Sequence, residues 1–153
     1  MSFEFLSDDH VKLYLKGTLV KNKISYRRIN LKDDHDLSFI AKIDVTIPAK
    51  YDSDFLVNDE TIQKQFQNFK DKFSEGDFFD VAEDNNNNIV GYHSVKKVAY
   101  FEKFAGSIYT LWVSADYRNQ GIATELKKRA EVWAQENNLD HILTWVHTDN
   151  SKM

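Results

Sequence analysis

An apolar, strand-like run from Ile108 to Val113 leads into a short polar segment: Tyr117, Arg118, Asn119, Gln120, Gly121, Ile122, Ala123. An amphipathic helix follows, beginning at Thr124 and ending near Asn138. This order constrains the fold more than any other feature, because a strand feeding a tight turn fixes where the helix N-terminus sits against a sheet. The first amides of a helix have no partner inside it and point outward. The aligned peptide dipoles add partial positive charge at that end, and a phosphate or pyrophosphate fits there. Gly121 lets the backbone come close without a Cβ in the way, and Ala123 keeps the next turn slim.

The same residues carry a resemblance. Arg118, Gly121 and Ala123 match the (Gln/Arg)-x-x-Gly-x-(Gly/Ala) signature of the GNAT superfamily of N-acyltransferases. Leu111 to Tyr117 is similar to that family's L-Y-V-x-P-x-Y segment, with Trp112 for Tyr and Ala115 for Pro. Val90, Gly91 and Tyr92 resemble part of the GNAT hairpin. The resemblance covers about Ile24 to Asn150, which leaves residues 1–23 as an N-terminal extension with an extra strand.

The resemblance implies acetyl-CoA as co-substrate and a primary amine, small-molecule or peptide, as acceptor by direct attack. Main-chain groups of Leu111 and Val113 would pair with the pantetheine arm. Amides of Arg118, Asn119, Gln120, Gly121, Ile122 and Ala123 would hold the pyrophosphate, and Asn150 matches an asparagine that contacts the cofactor. It also implies a domain lacking its C-terminal helix and last strands, either a shortened fragment or one completed by a homodimer or a second chain at the C-terminal strand. The competing reading is a non-catalytic CoA-binding or partner-assembly module with the same fold.

The bulk properties agree with one folded domain. A chain of 153 residues builds a single core, and 42% hydrophobic with 14% aromatic content argues against disorder. The net charge of −4 argues against a nucleic-acid partner and suits a cationic amine slightly better. Without cysteine there is no disulfide, thiolate metal site or cysteine nucleophile. No apolar run reaches the ~20 residues that span a membrane, and no signal pattern opens the chain. A cytoplasmic protein without membrane partners is expected.

Periodicity supplies the elements. Val11, Leu13 and Leu15 alternate with polar neighbours as a short strand, and Ile24 to Ile29 reads as a second. Asp33 caps a short helix with Leu37, Ile40 and Ala41 on one face. Asn58 caps the next, whose Ile62, Phe66, Phe69 and Phe73 form one stripe, with Gly76 ending it. Phe78–Ala82 and Ile89–Val98 form a hairpin around an asparagine-rich turn. Gly106 breaks the chain before a strand over Ser107–Val113. Ile122, Leu126, Ala130, Trp133 and Asn137 share a face of the motif helix, and His141–His147 reads as a buried strand. The expected fold is α/β, a GNAT-like mixed and mostly antiparallel sheet flanked by helices.

Proton handling is the open point. Amine attack on a thioester needs a base. GNAT members often carry a glutamate near the positions of Tyr109 and Thr110, but Ser107–Val113 holds no carboxylate. His93 on the neighbouring strand titrates in the useful range, and Tyr109 is placed to orient a water or the substrate. Glu83 and Glu102 read as solvated turn residues. Lys127, Lys128 and Arg129 read as a solvated helix face within reach of a 3′-phosphate. His141 and His147 share a strand face but have no third ligand, so no metal is expected. The turn lacks the second glycine and the Lys-Ser/Thr ending of a P-loop. No early strand–Gly-x-Gly–helix unit marks a dinucleotide fold.

Overall fold

The computed structural model describes residues 23–144 and, nearer the N-terminus, strands β1 (Phe3–Phe5), β2 (Leu13–Leu15) and β3 (Thr18–Leu19). These three pair antiparallel in the order β1-β2-β3. Asn150 and the far half of the strand expected over His141–His147 lie outside the described residues.

The main body runs β4 (Ser25–Arg28), α1 (Asp34–Asp44), α2 (Asp59–Lys72), β5 (Phe78–Glu83), β6 (Ile89–Tyr100), β7 (Lys103–Val113), α3 (Ile122–Glu136) and β8 (Ile142–Leu143). Its sheet has the order β4-β5-β6-β7-β8, antiparallel throughout except for the parallel pair β7–β8. This is the mixed, mostly antiparallel sheet that the sequence predicts.

Local chemistry accounts for the helices. Asp33 accepts from the His35 amide at the start of α1. Asn58 and Thr61 form a reciprocal capping box on α2, which satisfies two orphan donors. The aromatic stripe of α2 then packs on the sheet: Phe69 and Phe73 join Leu37, Ile40, Phe79, Val81 and Tyr92 in one core cluster, with Ile62 and Phe66 against it. On the opposite face α3 buries Ile122 and Leu126 against Ala82 and Val90, and Ala130 and Trp133 against Phe78 and Val95. Each of these large apolar side chains contributes roughly 1.5–3 kcal/mol. Strand β5 is covered on both faces, so all its residues are buried.

Five expectations need correction. Gly106 does not break the chain but lies inside β7, where a Cβ would come within 2.9 Å of Val95 Cγ1 and 3.4 Å of the Trp133 ring. A glycine placed for close packing looks, in sequence, like a breaker. Helix α2 ends at Lys72 with Phe73 as its cap, ahead of Gly76. Glu83 is not a solvated turn residue, because Arg27 joins it at 2.7 Å while also gripping Asp36, which ties β4 to α1 and β5. Asn137 is not part of the apolar face of α3 but its C-cap, with the side chain donating to the Trp133 carbonyl. Ile142 and Leu143 are only half-buried, as befits the edge of the sheet.

Candidate functional site

The hydrogen-bond phase of β7 fixes what its far end offers. The Ser114 amide donates to the Val90 carbonyl at 2.8 Å, and Trp112 lies opposite Tyr92. In an antiparallel ladder, paired and unpaired residues alternate. Leu111, opposite His93, and Val113, opposite Gly91, therefore turn their main-chain groups away from β6. Among the described residues β8 meets β7 only at Gly106 and Ser107. The outward carbonyl of Val113 accepts from Arg118 Nε at 3.1 Å, which folds the arginine back across the strand end.

The turn that follows reaches α3 through two residues with left-handed backbone, Asn119 at φ 61° and Gly121 at φ 83°. Gly121 is needed here for its conformation, since a Cβ at that position would meet nothing within 4 Å. Gly121 is also the N-cap of α3, and no side chain caps the helix there. The first amides of α3 are thus left for an outside acceptor. Tyr117 anchors the other side of the turn, its hydroxyl donating to Asp84 in the β5–β6 hairpin at 3.2 Å. Burial raises the Tyr117 pKa, with Asp84 adding to it.

These parts border one cavity of about 640 Å³. Of the residues predicted from sequence, Leu111, Val113, Arg118, Asn119, Gly121, Ile122 and Ala123 line it. Gln120 is not on its wall, and its side-chain amide reaches back to the Asp116 carbonyl. The opposite wall is Ile47, Lys50 and Tyr51, in and around the turn that Pro48 opens after α1. The sequence reading placed Pro48 in a loop but assigned that loop no role, since nothing local ties it to a turn some seventy residues on.

The two residues nominated for proton handling lie on different faces of the sheet. His93 is 1% exposed, packs edge-on against Phe78 on the α3 face and holds the Thr110 carbonyl at 2.8 Å through Nδ1. A carbonyl can only accept, so Nδ1 carries the proton. Burial lowers the His93 pKa; Lys127 adds to this, while the Thr110 carbonyl and Asp80 oppose it. Tyr109 sits at the irregularity in the β6–β7 register, half-exposed, its ring edge-on to Phe73 at 5.3 Å on the α2 face. On that same face, beside Trp112, lies a carboxylate that sequence reasoning passed over, Asp44 at the end of α1.

The acetyltransferase (GNAT) family model matches residues 45–153, most of the chain. The chain belongs to the GNAT family. No curated protein matches its sequence. Solved structures share the fold. A GNAT-family acetyltransferase candidate from Staphylococcus aureus subsp. aureus is 24% identical, with a TM-score of 0.67 over 77% of this chain and 97% of its own. A predicted acetyltransferase with acetyl-CoA from Clostridium acetobutylicum is 20% identical, with a TM-score of 0.65 over 85% of each chain. An aminoglycoside acetyltransferase from an uncultured soil metagenomic sample, in complex with sisomicin, is 18% identical, with a TM-score of 0.62 over 84% of this chain and 81% of its own. Family membership supports acetyl transfer as the chemistry of this GNAT domain. No helix among the described residues is long and apolar enough to cross a membrane.

Proposed function

We propose that this GNAT domain moves an acetyl group from acetyl-CoA to a primary amine by direct attack. One observation carries the reading: outward main-chain groups of Leu111 and Val113 open onto the same cavity as the uncapped N-terminus of α3. An extended, hydrogen-bonding arm ending in a pyrophosphate needs those two features side by side. The amides of Asn119, Gly121, Ile122 and Ala123 take the pyrophosphate, where the helix dipole favours negative charge. Lys50, across the cavity, adds positive charge to that pole. Leu111 and Val113 pair with the pantetheine arm, which runs back along β7 and brings the thioester toward Thr110 and Tyr109. Holding thioester and amine together removes much of the entropic barrier. An amine acceptor is supported by structural neighbours named as an aminoglycoside acetyltransferase and, from Arabidopsis thaliana, a glucosamine-6-phosphate N-acetyltransferase.

Calorimetric titration with acetyl-CoA tests the reading. Saturable binding in the micromolar range, followed by amine-dependent release of free thiol, is the expected result. Absence of binding would overturn it. Binding without turnover of any amine would favour the non-catalytic CoA-binding module instead.

A further inference from the structure

Three elements converge on the carboxylate of Asp44 at the end of α1. Tyr92 from β6 donates its hydroxyl to Oδ1 at 2.9 Å, and Thr110 from β7 donates to the same oxygen at 2.8 Å. Gln65 from α2 donates to Oδ2 at 2.7 Å and is itself held by Asn68 through its other amide atom. All three donors are neutral, and among the described residues no cation pairs with Asp44. A carboxylate oxygen has two acceptor positions, so Oδ1 is filled and Oδ2 retains one. The group is half-buried, not sealed. Burial raises its pKa, against the pull of the Thr110, Tyr92 and Gln65 hydrogen bonds. The titratable side chain in contact with it is the Tyr92 phenol, whose own pKa burial and Asp44 raise well above the usual value. The contacts from α2 and β7, Gln65 and Thr110, do not titrate.

Asp44 is tied to the cavity wall at three points. Thr110 directly precedes Leu111 in β7, the Tyr92 ring lies 5.6 Å from that of Trp112, and the Ile47 amide donates to the Asp44 carbonyl at 3.1 Å. Nearby, on the same face, the Ser94 hydroxyl is buried without a partner. An unpaired carboxylate held in a fixed orientation by neutral donors is costly unless something cationic meets it.

We infer that Asp44 receives the acceptor amine: it binds the ammonium through Oδ2 and takes its first proton. This rests on the acetyl-CoA reading above, which brings the thioester to Thr110. The ammonium gives one proton to Asp44, and the freed lone pair forms the C–N bond at the thioester carbonyl. The C–S bond breaks, and the sulfur leaves as the thiol with the second proton shed by nitrogen. Asp44 then returns its proton to solvent. The role that GNAT members often give a strand glutamate is here filled from the end of α1, next to the cavity wall.

The test uses the whole chain, acetyl-CoA and three primary-amine probes: sisomicin, butylamine and a lysine-bearing peptide. Asp44→Asn keeps the shape of the side chain. It is expected to bind acetyl-CoA as the wild type does while losing roughly a hundredfold or more in kcat/KM for the amine, the scale of lost proton transfer. Thr110→Val keeps the carboxylate but removes one donor that stabilises its charge. The acidic limb of its kcat/KM profile should move to higher pH, a shift that a merely structural role would not produce and one that still tests the assignment if Asp44→Asn fails to fold. Unchanged turnover in Asp44→Asn, or an unmoved limb in Thr110→Val, overturns the assignment. So does a wild type that binds acetyl-CoA but acetylates none of the probes. A wild type that does not bind acetyl-CoA overturns the broader reading, and this one with it.

Discussion

Replacing Gly121 separates the two things this residue does. Its φ of 83° lies in the left-handed region, and a Cβ there meets no atom within 4 Å. The cost to the fold is therefore conformational, not steric: roughly 1–2 kcal/mol for an ordinary side chain in that region. For a chain of this size that lowers the melting temperature by about 2–8 °C. Gly121 also borders the cavity at the uncapped start of α3. A branched side chain there would hold a phosphate away from the first helix amides. Losing one hydrogen bond to a charged group costs roughly 1.5–3 kcal/mol, which corresponds to about tenfold to a hundredfold in affinity. Gly121→Val should show both losses. Gly121→Asn should recover most of the stability, because asparagine tolerates left-handed angles, as Asn119 already does two residues before it. Its affinity should stay low, because a side chain still stands at the phosphate position. Calorimetry with acetyl-CoA and thermal unfolding of both variants provide the two readouts. If Gly121→Val binds acetyl-CoA as tightly as the wild type, the anion-site reasoning is wrong.

Other outcomes follow from packing and charge. Gly106→Ala should destabilise the fold by about 1–3 kcal/mol, the cost of overpacking, since its Cβ would lie 2.9 Å from Val95 Cγ1; denaturant unfolding measures it. Burial raises the Asp77 pKa, but the Ser74 and Lys97 amides and the Lys96 ammonium at 3.1 Å outweigh it, so the net shift is downward. A carboxylate depressed on folding contributes stability that is complete above its unfolded pKa near 3.8 and is lost as pH falls through the lower folded value. Asp77→Asn should cost roughly 3 kcal/mol at neutral pH, the low end for breaking a buried pair, because Lys96 keeps some solvent. That deficit should shrink in melts taken as pH falls from about 3.8 through the lower folded value, where the folded wild-type carboxylate also loses its charge.

Much of the architecture was legible because its causes are local. The cap at Asn58 and the stripe Ile62, Phe66, Phe69, Phe73 specify α2 within a few turns of chain. The asparagine turn specifies the β5–β6 hairpin, and the Arg118–Ala123 segment announces its helix N-terminus by composition alone. Boundaries shifted where a residue has two uses: Gly106 reads as a breaker but serves a close contact, and Asn137 continues a spacing but caps a helix. His93 carried the right chemistry in the list of residue types, yet strand alternation, once registered against β5 and β7, turns it into the α3 face.

By itself, the sequence determined the order of strands and helices, the apolar faces and the turn that presents the first amides of α3. These depend on periodicity and on the conformational limits of single residues. Only the tertiary structure decided which segments meet. Thr110 reaches Asp44 across 66 positions of chain, Tyr92 across 48, and Gln65 across 21. No spacing rule links them, because the sheet register and the packing of α1 and α2 on it set those distances. The turn after α1 becomes a cavity wall for the same reason. Local periodicity fixed what each segment is, and long-range packing fixed what its side chains face.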